Sequence, residues 1–164
     1  MSPSADDLHA LARKYRTLVA LRARRDQQQA HSVPPPLSDR TPAAVLRSLA
    51  REFPGSLREL DTLGAAELAR RAARVEEAAE AGEATEPWMA WIARYHALMR
   101  SALAIRRGGA GSEPDAAFAA EVTAPPDGRL GIVVLRRLAR EFAVPAKEIA
   151  ATLFPLRRPS PYEL

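Results

Sequence analysis

Residues 129–142 read RLGIVVLRRLAREF and residues 40–53 read RTPAAVLRSLAREF, agreeing at nine of fourteen positions with an offset of 89. From Val45 to Phe53 against Val134 to Phe142 the agreement is eight of nine. In both copies the leucines fall on one side of a helix, and a turn follows: Pro54-Gly55 in one, Ala143-Val144-Pro145 in the other. A shorter helix comes next, where Glu59 matches Glu148 and Leu60 matches Ile149. The pattern predicts two helix-turn-helix-like hairpins related by pseudo-symmetry. Two copies make a pair and not a solenoid.

The composition agrees with helices throughout. The 164 residues include 34 Ala and 19 Leu, both strong helix formers, against 4 Ile and 8 Val. With so few β-branched residues and 14 Pro, buried strands are not expected. The expected fold is an all-α compact bundle of about six to eight helices. It divides into a basic amphipathic helix over 1–30, a Pro-rich linker over 31–40, a helical core domain over 41–154 and a flexible tail over 155–164.

Working outward from the hairpins, Ser4 is the N-cap of a first helix over 5–28, with Leu8, Leu11, Tyr15, Leu18 and Val19 on one side. Arg13, Lys14, Arg16, Arg24 and Arg25 are expected to point mostly away from that side. Ser56 and Glu59 have the spacing of a capping box at the short helix of the first hairpin. An Ala-rich helix over 65–81 carries a narrow stripe of Leu68, Ala72, Val75 and Ala79. Pro87 starts the most hydrophobic segment, 87–107, where Trp88, Trp91, Ile92, Tyr95, Leu98, Met99, Ala102 and Leu103 cover one arc. This is the expected central helix. A short helix from about Asp115 to Val122 precedes the second hairpin.

Charge supplies the functional clue. The net charge is +4 and 22 of the 24 basic residues are Arg. Residues 1–40 and 129–164 carry the excess of positive charge, while 41–86 are acidic. On the second hairpin Arg129, Arg136 and Arg140 fall at i, i+7 and i+11, within about 40° of one another on a helix. Arg40, Arg47 and Arg51 repeat that row, and Arg137 and Lys147 add charge to the second copy. These eight residues are the candidate contacts for an anion. Guanidinium groups fork onto phosphates and carboxylates. Their plainer role is a solvated helix side whose long stems cover apolar surface.

The second hairpin, LRRLAREFAVPAKEIAATLF, has part of a DNA-binding pattern. Yet the outward positions of its second helix would be Pro145, Ala146, Lys147, Ala150, Ala151 and Phe154, of which Lys147 alone belongs to the types that read base edges. Any nucleic-acid contact is therefore expected at the backbone, indifferent to sequence.

No catalytic motif is present. His9, His31 and His96 are scattered, there is no Cys, and neither HExxH, GxSxG nor a glycine-rich phosphate loop occurs. His96 reads as a hydrogen-bonded boundary histidine. No cofactor or metal is implied. No apolar run reaches the ~20 residues that cross a bilayer, and the start lacks a signal-peptide pattern, so a cytoplasmic protein is expected. The reading is a non-catalytic binding or adaptor protein whose arginines meet an anionic partner, nucleic-acid backbone being the first example. The alternative is a protein–protein module, meeting an acidic protein or forming a homodimer, in which those arginines pair with carboxylates, internally or across the homodimer.

Overall fold

A computed structural model describes residues 2–31, 41–109, 115–123 and 130–155. Eight helices follow one another: α1 (Ala5–His31), α2 (Thr41–Glu52), α3 (Ser56–Thr62), α4 (Ala65–Ala81), α5 (Pro87–Arg106), α6 (Ala116–Thr123), α7 (Leu130–Phe142) and α8 (Ala146–Leu153). Among the described residues there is no strand. The fold is an all-helical bundle, and its helix starts and stops lie within a few residues of those the sequence implies. The linker stretch 32–40 and the tail 156–164 lie outside the described residues.

The ends of the helices have identifiable causes. Ser4 and Asp7 close a reciprocal cap on α1: the Asp7 N–H donates to Ser4 Oγ at 3.1 Å and the Ser4 N–H donates to Asp7 Oδ2 at 3.0 Å. Asp115 does the same service for α6 by accepting from the N–H of Ala117 at 2.9 Å. At the end of α3, Arg22 Nη1 donates to the carbonyls of Leu60 and Leu63, both at 2.9 Å, filling acceptors that a short helix leaves open.

The capping box read at Ser56 and Glu59 does not form. Neither side chain caps α3. Ser56 Oγ donates back to the Phe53 carbonyl, and Glu59 turns into the protein interior, drawn there by two buried cations described below.

Helix α1 lies along α4, and α5 touches α1, α2, α6, α7 and α8. Leu8, Leu11, Tyr15 and Leu18 of α1 are sealed in the same core as Leu68 and Val75 of α4 and Met89, Ile92 and Leu98 of α5. On α5, Trp88, Ile92, Tyr95, Leu98 and Ala102 are buried as the arc implies, whereas Trp91, Met99 and Leu103 stay half-buried. The buried strip is rotated toward Met89 and His96, because α1 and the α2–α3 turn close over that side.

Two further expectations are corrected by packing. Lys14 is fully buried and not turned outward. It sits three residues after Leu11 and four before Leu18, on the apolar stripe itself. Phe154, read as an outward position, is 3% exposed, its ring edge-on to Tyr95 at 5.2 Å and beneath the Arg58 guanidinium. It follows the last residue of α8, so helical phase no longer governs where it points.

Candidate functional site

The two arginine rows end in different circumstances. On α2, Arg47 and Arg51 stand one turn apart, both exposed, with no ionic or hydrogen-bond partner among the described residues. On α7, Arg136 is likewise exposed and unpartnered, as is Lys147 on α8. Arg137 is instead drawn against Asp115 and Glu141, the latter at 3.0 Å, and lies over the Phe118 ring. Arg140 meets Glu121 at 3.1 Å. Arg40 and Arg129 lie outside the described residues.

A second set of arginines lies on α1. An open groove of about 500 Å³ runs along α1 beside α2, lined by Arg13, Arg16 and Arg24 with Thr17, Ala20, Leu21 and Val45. Arg13 meets Glu52, and Arg16 meets Glu76 at 3.3 Å, in pairs open to solvent that cost little to exchange for another anion. The sequence carries the signal for this groove in the spacing 13, 16, 17, 20, 21 and 24, the i, i+3, i+4 and i+7 positions of one helix side. What it lacks is which helix would lie alongside.

Beneath this face is an ionic network that no motif announces. The chain has two lysines, and one of them, Lys14, is in the core. Its Nζ donates to Glu59 Oε2, to His96 Nε2 at 2.8 Å and, at 3.5 Å, toward the Tyr15 hydroxyl. Glu59 Oε1 accepts from the Tyr15 hydroxyl at 2.5 Å and from Arg71 Nη1 at 3.1 Å. Arg71 continues to the carbonyls of Thr152 at 2.6 Å and Leu153 at 3.5 Å, and its guanidinium lies over the Trp88 ring. One carboxylate thus links α1, α3 and α4, and Arg71 carries the link on to α8.

Burial and pairing set the protonation states. Loss of water lowers Lys14 to about 8, although the Glu59 charge works in the opposite direction. Burial first, then the Glu59 charge, pushes the Tyr15 hydroxyl well above its usual value of 10.0. Burial and the neighbouring Lys14 ammonium hold His96 well below 6.5, so the ring is neutral at pH 7. Its tautomer follows from its partners: Nδ1–H donates to the Pro54 carbonyl at 3.0 Å, and Nε2 accepts from Lys14.

Every charge in this network is satisfied from inside, and Lys14, Glu59 and His96 have almost no exposed surface. The network ties α1, α3, α4, α5 and α8 together. No family model, curated protein or solved structure matches this chain. Among the described residues no group of three or more His, Asp or Glu side chains is arranged to hold a metal ion, and no helix is long and apolar enough to cross a membrane.

Proposed function

We propose that the protein is a non-catalytic, cytoplasmic binding module whose exposed arginines, those of α2 first, meet an anionic partner, and that the partner is the phosphate backbone of nucleic acid. The observation carrying this reading is the exposed pair Arg47 and Arg51, which have no ionic or hydrogen-bond partner among the described residues. Guanidinium groups at one-turn spacing suit successive phosphates, and such contacts are indifferent to base sequence. Arg136 and Lys147 extend the reading to the second hairpin. Arg137 and Arg140 contribute less, since each would first have to leave a carboxylate.

A second reading has its own support. The groove floor of Ala20, Leu21 and Val45 is apolar, which suits an acidic protein segment, or a second copy of the chain, better than a sugar–phosphate chain.

The test is fluorescence anisotropy with a labelled oligonucleotide, single-stranded and duplex, at ~50 mM salt and upward. Under the first reading log K falls by about 0.7–0.9 per phosphate contact against log salt. Arg47→Gln with Arg51→Gln weakens binding equally for unrelated sequences. No binding at ~50 mM salt overturns the nucleic-acid reading.

A further inference from the structure

Helix α2 carries the arginines of the proposed face yet is weakly anchored. Among its described side chains Leu49 alone is buried, whereas α7 buries Leu130, Val133, Val134 and Leu138. What ties the end of α2 to the core is the turn that follows it. Phe53 is 4% exposed and packs edge-on against His96 with ring centroids 5.3 Å apart. The next carbonyl, Pro54 O, accepts the His96 Nδ1–H. Beyond that, Arg100 Nη1 donates to the Glu52 carbonyl at 2.6 Å. The attachment of α2 to α5 thus centres on one imidazole.

That imidazole has no room for a second proton. Its Nε2 already accepts from an ammonium 2.8 Å away, so an added proton would point at Lys14 with no acceptor between two cations. The other charged and titratable groups around it do not relieve this. Lys14, Tyr15 and Asp7 come from α1, Glu52 from α2, and Tyr95 and Arg100 from α5. Glu59 of α3 and Arg71 of α4 stand behind Lys14. Glu59 is already shared by Lys14, Tyr15 and Arg71, while Asp7 and Glu52 line a separate cleft of about 140 Å³ at the edge of the ring. A second cleft, of about 190 Å³, lies between α1 and α2 on the Lys14 side, and Phe53 lines both. If Phe53 swings out, water reaches His96 from two directions.

We propose that His96 is an acid-sensitive latch: in its neutral form it holds the Phe53–Pro54 turn and with it α2, and on protonation it lets α2 leave the bundle, dispersing the arginine face. The consequence for binding rests on the anion-binding reading given above; the release of α2 does not. Opening would expose the ring to solvent, where it takes up the proton that the closed state refuses.

Hydrogen exchange of individual amides, followed by NMR alongside the His96 ring resonances, tests this. After correction for the intrinsic rate, α2 opening should increase about tenfold between pH 7.5 and 5.5, the change allowed by one proton taken up on opening. Amides of α7 that exchange by local opening, with His96 still covered, should not follow. His96→Gln, whose side-chain oxygen accepts from Lys14 without titrating, should flatten the α2 profile, and Glu52→Gln should leave it unchanged. Oligonucleotide affinity should fall in parallel with α2 opening in the wild type and not in His96→Gln.

Unchanged α2 exchange across this range overturns the latch. So does a pH dependence that survives His96→Gln or vanishes in Glu52→Gln. If His96→Gln does not fold, the wild-type comparison decides: α2 opening must track the His96 ring and not the other two histidines. A chain that binds no oligonucleotide at any pH defeats the anion-binding reading, while the exchange data still support or refute the latch.

Discussion

The two segments α2–α3 and α7–α8 share a residue pattern, each a longer helix followed by a shorter one, yet they are held in the bundle by different means. Leu49 and Leu138 are both buried, as are Leu60 and Ile149, and Arg47 and Arg136 both face solvent. Four positions illustrate the difference. Val134 is sealed where Val45 is half-buried, and Phe53 is sealed where Phe142 is half-buried. Glu59 lies at the centre of a buried ionic network, while Glu148 is exposed on α8. Arg140 is paired with Glu121, whereas Arg51 has no such partner among the described residues. Both copies bury leucines; the first adds a buried carboxylate at its centre, and the second adds more apolar burial on α7 together with ion pairs nearer the surface. Similar local instructions were put to opposite uses by their neighbours.

The largest expected contrast is at the matched glutamates. Glu59→Gln leaves Lys14 buried without a countercharge and Arg71 with Glu67 alone, and should cost about 3–5 kcal/mol in urea unfolding, whereas Glu148→Gln should change stability by less than about 0.5 kcal/mol. Equal losses would mean that the two short helices are equivalent after all.

The pH dependence should separate the hairpins next. His96 binds its proton more weakly in the folded chain than in the unfolded one, so its contribution to stability is intact above pH 6.5 and is lost as the pH falls below it, by up to about 1.4 kcal/mol per pH unit. On the alkaline side Lys14, at about 8 when folded against 10.5 when unfolded, makes stability climb as the pH rises from 8 toward 10. Above 10 the raised Tyr15 reverses the trend, since the unfolded chain then loses a proton that the folded one keeps. Thermal unfolding from pH 4 to 11 checks this, and a flat profile would deny the network its role.

The turns offer a third comparison. Each uses a left-handed residue, Gly55 at φ 94° and Ala143 at φ 53°. A Cβ at Gly55 would lie 2.9 Å from Tyr95 Cε1. Gly55→Ala should therefore cost at least about 1–2 kcal/mol, while Ala143→Gly relieves strain and should stabilise by about 0.5–1 kcal/mol. Chemical denaturation of the two variants would show whether opposite signs hold.

The smallest effect on folding and the sharpest on binding is expected at the arginines. Arg47→Gln with Arg51→Gln should reduce the slope of log K against log salt by about 1.4–1.8, whereas Arg137→Gln with Arg140→Gln should change it little. The reverse result would move the proposed face to the second hairpin.

Helix number and helix boundaries were legible in the residues alone, because periodicity, caps and turns are local properties whose range is a few residues. The positions of the exposed arginines on α2 and α7 were legible for the same reason. The role of Lys14 was not: it was expected to point away from the apolar side, and its burial makes sense only once a carboxylate from 45 residues away is seen to meet it. Glu59 misled in the opposite sense, since its local spacing invited a cap while its partners lay on α1 and α4. Whether Arg137 stays free or finds Asp115, and whether Phe154 points outward or onto Tyr95, depended on which helices became neighbours. Sequence by itself determined the helices and their order. Tertiary structure decided which charges are spent on the protein's own interior and which remain at its surface, because pairing and desolvation depend on distances through space that no local pattern encodes.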